Sequence, residues 1–211
     1  RLSEGNWEGL PITDEARAVL DDYHTSILDA GVMPSPSCLS IEQHERLFIV
    51  NYPGGSRLNR TIGMIITAML SAKSGYKVGY QFDPYRIILD APTRTTVKDM
   101  LAIMKGFETG ITNLLRFSIR DSPALKSQLL HVARKMGAIG PEADVSRFGM
   151  RRLIEAYSDT PLYTEAVERF LFHQLDEEGM EEFIEKINSG QVSVVLSPKT
   201  PHGYAGLDPY R

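Results

Sequence analysis

The stretch from Arg46 to Ser74 constrains this chain more than any other. Leu47-Phe48-Ile49-Val50 is an unbroken apolar run, and a strand that does not alternate is one buried on both faces. Pro53-Gly54-Gly55-Ser56 punctuates it. Leu58, Ile62, Ile65, Ile66, Met69 and Leu70 then recur at helical spacing from about Arg57 to Ser74, the pattern of a helix with one buried stripe. A strand covered on both sides that feeds a helix through a glycine turn calls for a layered α/β body.

The flanking patterns extend this unit. A helix with an acidic first turn runs from Thr13 or Asp14 to Ala30, with Ala16, Leu20, Tyr23, Ile27 and Leu28 on one face. Strands are expected at about 38–43 and 46–52, and a hairpin at 77–82 and 85–89 turns on Asp83-Pro84. From Thr95 the pattern is almost wholly helical, with candidates near 95–106, 109–120, 123–137, 146–157, 161–175 and 177–188. Thr160-Pro161 is a helix start, a capping residue before proline at the first helical position, and Asp176-Glu177-Glu178 is another, with acid at the positive end of the dipole. A last strand is expected at 191–196. The fold class is therefore α/β (α+β): a small, mostly antiparallel sheet with packed helices, followed by a helix-rich half. The expected organisation is a connector over 1–12, one domain over 13–197 (sheet part 13–92, helical part 93–197) and a flexible tail over 198–211.

Of 211 residues, 42% are hydrophobic, and a chain of this length buries roughly 70% of its extended surface without a metal or disulfide. Cys38 is the only cysteine, so an internal disulfide is excluded and a reducing, cytoplasmic setting is the expectation. The longest apolar run, Ile62 to Leu70, contains Gly63 and Thr67 and is too short to cross a bilayer, so no membrane partner is expected. The first residues lack both a methionine and an apolar signal core, and read as the cut or processed end of a longer chain. The net charge of −4 argues against a free-standing nucleic-acid module, which is usually basic. It leaves room for a domain that supplies one wall of a shared groove.

Catalytic signatures are missing. No Gly-x-x-x-x-Gly-Lys-Ser/Thr loop occurs, so ATP cannot be held in the P-loop manner. His24, His44, His131, His173 and His202 are scattered without metal-ligand spacing, and no metal or catalytic residue is assigned. No Gly-x-Ser-x-Gly elbow is present.

Three features remain as binding candidates. Ser56-Arg57-Leu58-Asn59-Arg60 opens a helix, where free amides, the dipole and two guanidiniums favour an anion such as a backbone phosphate. The alternative is that both arginines are solvated or paired with an acid on a neighbouring element. Trp7 sits in a Gly/Pro-flanked connector, either as a platform for an unpaired base or as the anchor of that connector. Arg147, Arg151 and Arg152 are spaced to share one helix side, the best subset of basic residues in the helical half.

Several stretches, taken in order, resemble the Lhr (large helicase-related) proteins in the domain that follows their two RecA-like motor domains and winged helix. Trp7-Glu8-Gly9-Leu10-Pro11 is similar to a Trp-x-Gly-Glu connector, with Leu10 standing where an acid is usual. Phe48-Ile49-Val50 followed by Gly55-Ser56-Arg57-Leu58-Asn59-Arg60-Thr61-Ile62-Gly63 resembles the family's strand and Gly-x-x-x-Asn-x-x-Leu-Gly. Asp83-Pro84-Tyr85-Arg86-Ile87 matches its Asp-Pro-Tyr-Arg-Ile, and Tyr157 to Ala166 and Ile187 to Gly190 resemble later helical signatures. The resemblance covers most of residues 5–196. It implies a C-terminal accessory domain of an ATP-dependent helicase, whose ATP and magnesium belong to motor domains outside this chain. The implied partners are single-stranded DNA or RNA and the RecA-like and winged-helix domains of the same polypeptide. It raises Trp7, Arg57, Asn59 and Arg60 as strand contacts. A DNA-repair glycosylase-like domain and a non-catalytic packing or interaction domain are the rival readings.

Overall fold

The computed structural model describes residues 6–30, 34–107, 112–120, 122–143 and 150–197. Helix α1 (Asp14–Ala30) precedes strands β1 (Cys38–His44) and β2 (Leu47–Asn51), helix α2 (Gly55–Ser74) and strands β3 (Gly79–Phe82) and β4 (Arg86–Asp90). Helices α3 (Val97–Lys105), α4 (Thr112–Ile119), α5 (Pro123–Lys135), α6 (Met150–Tyr157), α7 (Pro161–Gln174) and α8 (Glu177–Asn188) follow, and β5 (Ser193–Leu196) closes the described chain.

The five strands form one sheet in the order β3-β4-β2-β1-β5. Three neighbouring pairs are antiparallel and only β1–β5 is parallel, so the mostly antiparallel α/β expectation holds. The continuous run on β2 is central: Phe48, Ile49 and Val50 are all fully buried. Phe48 and Val50 join Leu39, Ile41, Ile87 and Leu89 in the core cluster, on the face that takes α2. On the other face Asn51 donates to Ser40 Oγ at 3.2 Å and to Glu42 Oε1 at 2.7 Å, which satisfies polar groups that burial would otherwise penalise.

Helix α2 lies against β3 and β4 and meets α3, α4 and α8. Being covered from both sides, it buries more than the expected stripe: Thr61, Met64 and Thr67 are inside as well. The two threonine hydroxyls are satisfied along the helix, Thr61 on Arg57 O and Thr67 on Gly63 O and Met64 O, each at 2.9 Å. Gly63 is where helix and sheet come closest. A Cβ there would stand 2.5 Å from the Tyr80 ring and 3.0 Å from Ile87, so the absence of a side chain sets the helix–sheet distance.

In the helical half, α5 packs along α7 and α6 touches both. Thr160 caps α7, accepting from Tyr163 N, and Asp176 caps α8, accepting from Gly179 N, as their sequence signals predicted. One core cluster joins the halves, running from Leu39 and Ile62 through Leu115 and Leu129 to Phe170 and Phe183. The expected face of α1 is not buried: Ala16 and Tyr23 are exposed and Leu20 is half-buried. The side chains of Ile27 and Leu28, and the tail 198–211, lie outside the described residues.

Candidate nucleic-acid interface

The first turn of α2 and the Asp83-Pro84-Tyr85-Arg86 turn are built into one another. Asp83 closes its own turn, its Oδ1 accepting from Tyr85 N at 2.8 Å and Arg86 N at 3.0 Å while its Oδ2 accepts from Arg86 Nε at 2.7 Å. The turn's carbonyls then face the strand-to-helix loop: Tyr52 N donates to Tyr85 O at 2.8 Å and Gly55 N to Pro84 O at 2.9 Å. Gly55 adopts φ +81° to make that bond, a region open to glycine at little cost. Asn59, fully buried, donates from Nδ2 to both Tyr52 O and Asp83 O at 2.9 Å. The Gly55, Asn59, Gly63 spacing of four therefore has a physical meaning: left-handed turn, latch and close approach, one helical turn apart.

The cations of this turn reach the helical half. Arg57 donates from Nε to Leu175 O at 3.0 Å and from Nη2 to Phe172 O at 2.8 Å, a positive charge set on the carbonyls that end α7. Arg60 bonds Gln174 Oε1 through Nη1, and its guanidinium carbon lies 5.6 Å from the Phe82 ring centre and 5.3 Å from that of Phe170, both within cation–π range. Burial raises the Tyr80 hydroxyl above its usual pKa, with Arg60 pulling it back. Asp176 N donates to Thr61 Oγ1 at 2.9 Å. The geometry holds both Arg57 and Arg60 within the protein, but on no acid among the described residues. The partners are carbonyls, an amide and aromatic faces. Both arginines are thus engaged within the fold, and Asn59 is spent on backbone.

Trp7 is 5% exposed. Its Nε1 donates to Asp21 Oδ1 at 2.6 Å, and its ring meets His24 edge-on with centroids 6.2 Å apart. It anchors the connector on α1 and is not an open stacking platform in this conformation. Arg147 lies outside the described residues, Arg151 lies on α6 with its side chain outside them, and Arg152 is exposed on α6. Arg116, on α4, is paired with Glu168 at 2.9 Å.

The opposite end of α2 is open. A cleft of about 490 Å³ lies between that end and the loop before α3, lined by Lys73, Tyr76, Arg94 and Asp99 over Leu70 and Pro92. Asp99 is fixed twice. It caps α3 reciprocally with Thr96 and takes Lys73 Nζ at 2.5 Å. Lys73, then Thr96, hold its carboxyl far below the ordinary carboxylate range. Sequence reasoning passed over this cleft. The available signal was an aromatic just past the Gly75 helix stop, between Lys73 and Lys77.

Among the described residues no three His, Cys, Asp or Glu side chains form a metal-binding group, and no helix is long and apolar enough to cross a membrane.

A family model described as DEAD/H associated matches residues 33–202. The chain belongs to the DEAD/H associated family. This DEAD/H-associated domain shares its fold with part of the Mycobacterium smegmatis helicase Lhr, solved bound to ssDNA and AMP-PNP. The TM-score is 0.72 at 18% identity, over 87% of this chain and 25% of that one. It thus spans about a quarter of the helicase chain it matches. No curated protein matches it in sequence.

Proposed function

We propose that this chain is the non-motor accessory part of an Lhr-type ATP-dependent helicase, and that it forms one wall of the path of a single strand. The shared fold with a helicase solved on ssDNA carries this reading. Two features of the chain agree with it. It has no P-loop sequence, so the energy of translocation would come from motor domains of the same polypeptide, with their ATP and magnesium. Its net charge of −4 suits a domain that borders a strand rather than one that grips it alone.

The expected behaviour of the purified chain is weak, salt-sensitive binding of single-stranded oligonucleotides and no ATP turnover with or without a strand. Anisotropy titrations and a coupled phosphate-release assay read both. Robust ATP hydrolysis by the chain alone would sink the proposal. The rival glycosylase reading would be removed by failure of the chain to release a free base from a panel of lesion-bearing strands.

A further inference from the structure

The open end of α2 is built unlike ordinary surface. Tyr76 is 69% exposed, yet its backbone is held: its N–H donates to Ser74 Oγ at 3.2 Å, and that hydroxyl donates back to Tyr76 O at 3.4 Å. Gly75, at φ +73°, ends α2 by donating to Ser71 O at 2.9 Å, and Val78 N binds Ser71 Oγ at 3.1 Å. An exposed aromatic on a fixed turn is a platform rather than a frayed end. Across the cleft, Thr95 N donates to Pro92 O at 2.8 Å, closing the turn that carries Arg94. Arg94 is exposed and in no ion pair among the described residues.

The charges leave an excess of cation. Lys73 and Asp99 neutralise one another at 2.5 Å, and Arg94 remains. Lys77 and Lys98, both exposed, each adjoin a lining residue in sequence, Tyr76 and Asp99. Thr93 and Thr95 also line the space, and threonine hydroxyls are among the groups that donate to phosphate. At about 490 Å³ the cleft falls in the roughly 300–1,000 Å³ range of small-ligand sites, suited to one nucleotide and too small for a duplex.

We propose that this cleft holds one nucleotide of a passing single strand, its base laid on Tyr76 and its phosphate held by Arg94. The proposal rests on the reading of the chain as a strand-contacting domain, and it places that contact at the end of α2 opposite the latch at Gly55 and Asn59. It accounts for an exposed aromatic beside an unpaired guanidinium, the pairing that sequence-tolerant single-strand sites use.

The test is anisotropy with a fluorescein-labelled oligothymidylate and the whole chain, in wild type and in variants at exposed positions, where substitutions change stability little. Tyr76→Ala should weaken binding by about fivefold or more, and Tyr76→Phe should keep it, since stacking needs the ring and not the hydroxyl. Arg94→Gln should weaken it several-fold and lower the log–log salt slope by about 1. Lys135→Gln, the same charge change on α5, should leave affinity within about twofold, as a surface cation outside the contact. If wild type binds and neither cleft variant differs from Lys135→Gln, the cleft is not the site, while the broader strand-contact reading stands. If wild type does not bind, both fall. Thymidine monophosphate displacing the oligomer at equal occupancy would replace strand contact by a free-nucleotide site, and displacement by polyglutamate would replace it by an acidic-peptide site. Either overturns the proposal.

Discussion

Helix α2 ends in two different ways. At its N-terminal end, Gly55, Arg57, Asn59 and Arg60 are tied to the β3–β4 turn and to the end of α7 by hydrogen bonds and ring contacts. At its C-terminal end, Lys73, Tyr76 and Arg94 border open space. The motif-rich end is the architectural one, and the motif-poor end keeps cationic and aromatic groups for solvent or ligand. The Gly55, Asn59, Gly63 spacing thus marks where backbone is latched, because a latch needs particular residue types, whereas a stacking platform accepts any planar ring.

The sharpest way to break this contrast is Asn59→Asp. It removes both Nδ2 donors from Tyr52 O and Asp83 O and sets a carboxyl among carbonyls, so destabilisation of about 3–5 kcal/mol is expected in urea melts. A loss below about 1 kcal/mol would mean the latch is ornamental. Arg57→Ala comes next. It leaves the last carbonyls of α7 to water, and because Arg57 is itself exposed a loss of about 1–2 kcal/mol is expected, with Arg57→Lys recovering only part, since an ammonium lacks the guanidinium fork. The smallest effect belongs to the open end. The folded Asp99 carboxyl lies below its ordinary 3.8, so its stabilising contribution is fully present above that range and fades as pH falls beneath it. The stability gap between wild type and Asp99→Asn should therefore be visible near pH 6 and narrow near pH 3, a small difference because the site is solvent-screened. A gap that widens on acidification would reverse the assignment of the cap.

Much of the architecture is local information. The unbroken run on β2, the spacing along α2, and the caps at Thr160 and Asp176 each specify an element through its own neighbours, and each element forms within a few residues of its expected limits. The turn chemistry of Asp83-Pro84 is equally local. The candidate site was less legible. The sequence identified Arg57 and Arg60 as unusual at a helix start, but their partners, Phe172, Gln174 and Leu175, are more than a hundred residues away. Trp7 was legible as an anchor or a platform, and only the placement of Asp21 and His24 chose between them.

The sequence by itself determined which segments are helix and strand, that the sheet is mostly antiparallel around a buried central strand, and that no P-loop is present, because periodicity, caps and motifs act over one or two turns. Tertiary structure decided the rest: that β5 returns to lie parallel to β1, that α2 is enclosed on both sides, and that its cations serve the fold at one end and face open space at the other. Those outcomes depend on which distant surfaces meet, and the meeting is fixed by packing of the whole core rather than by any local pattern.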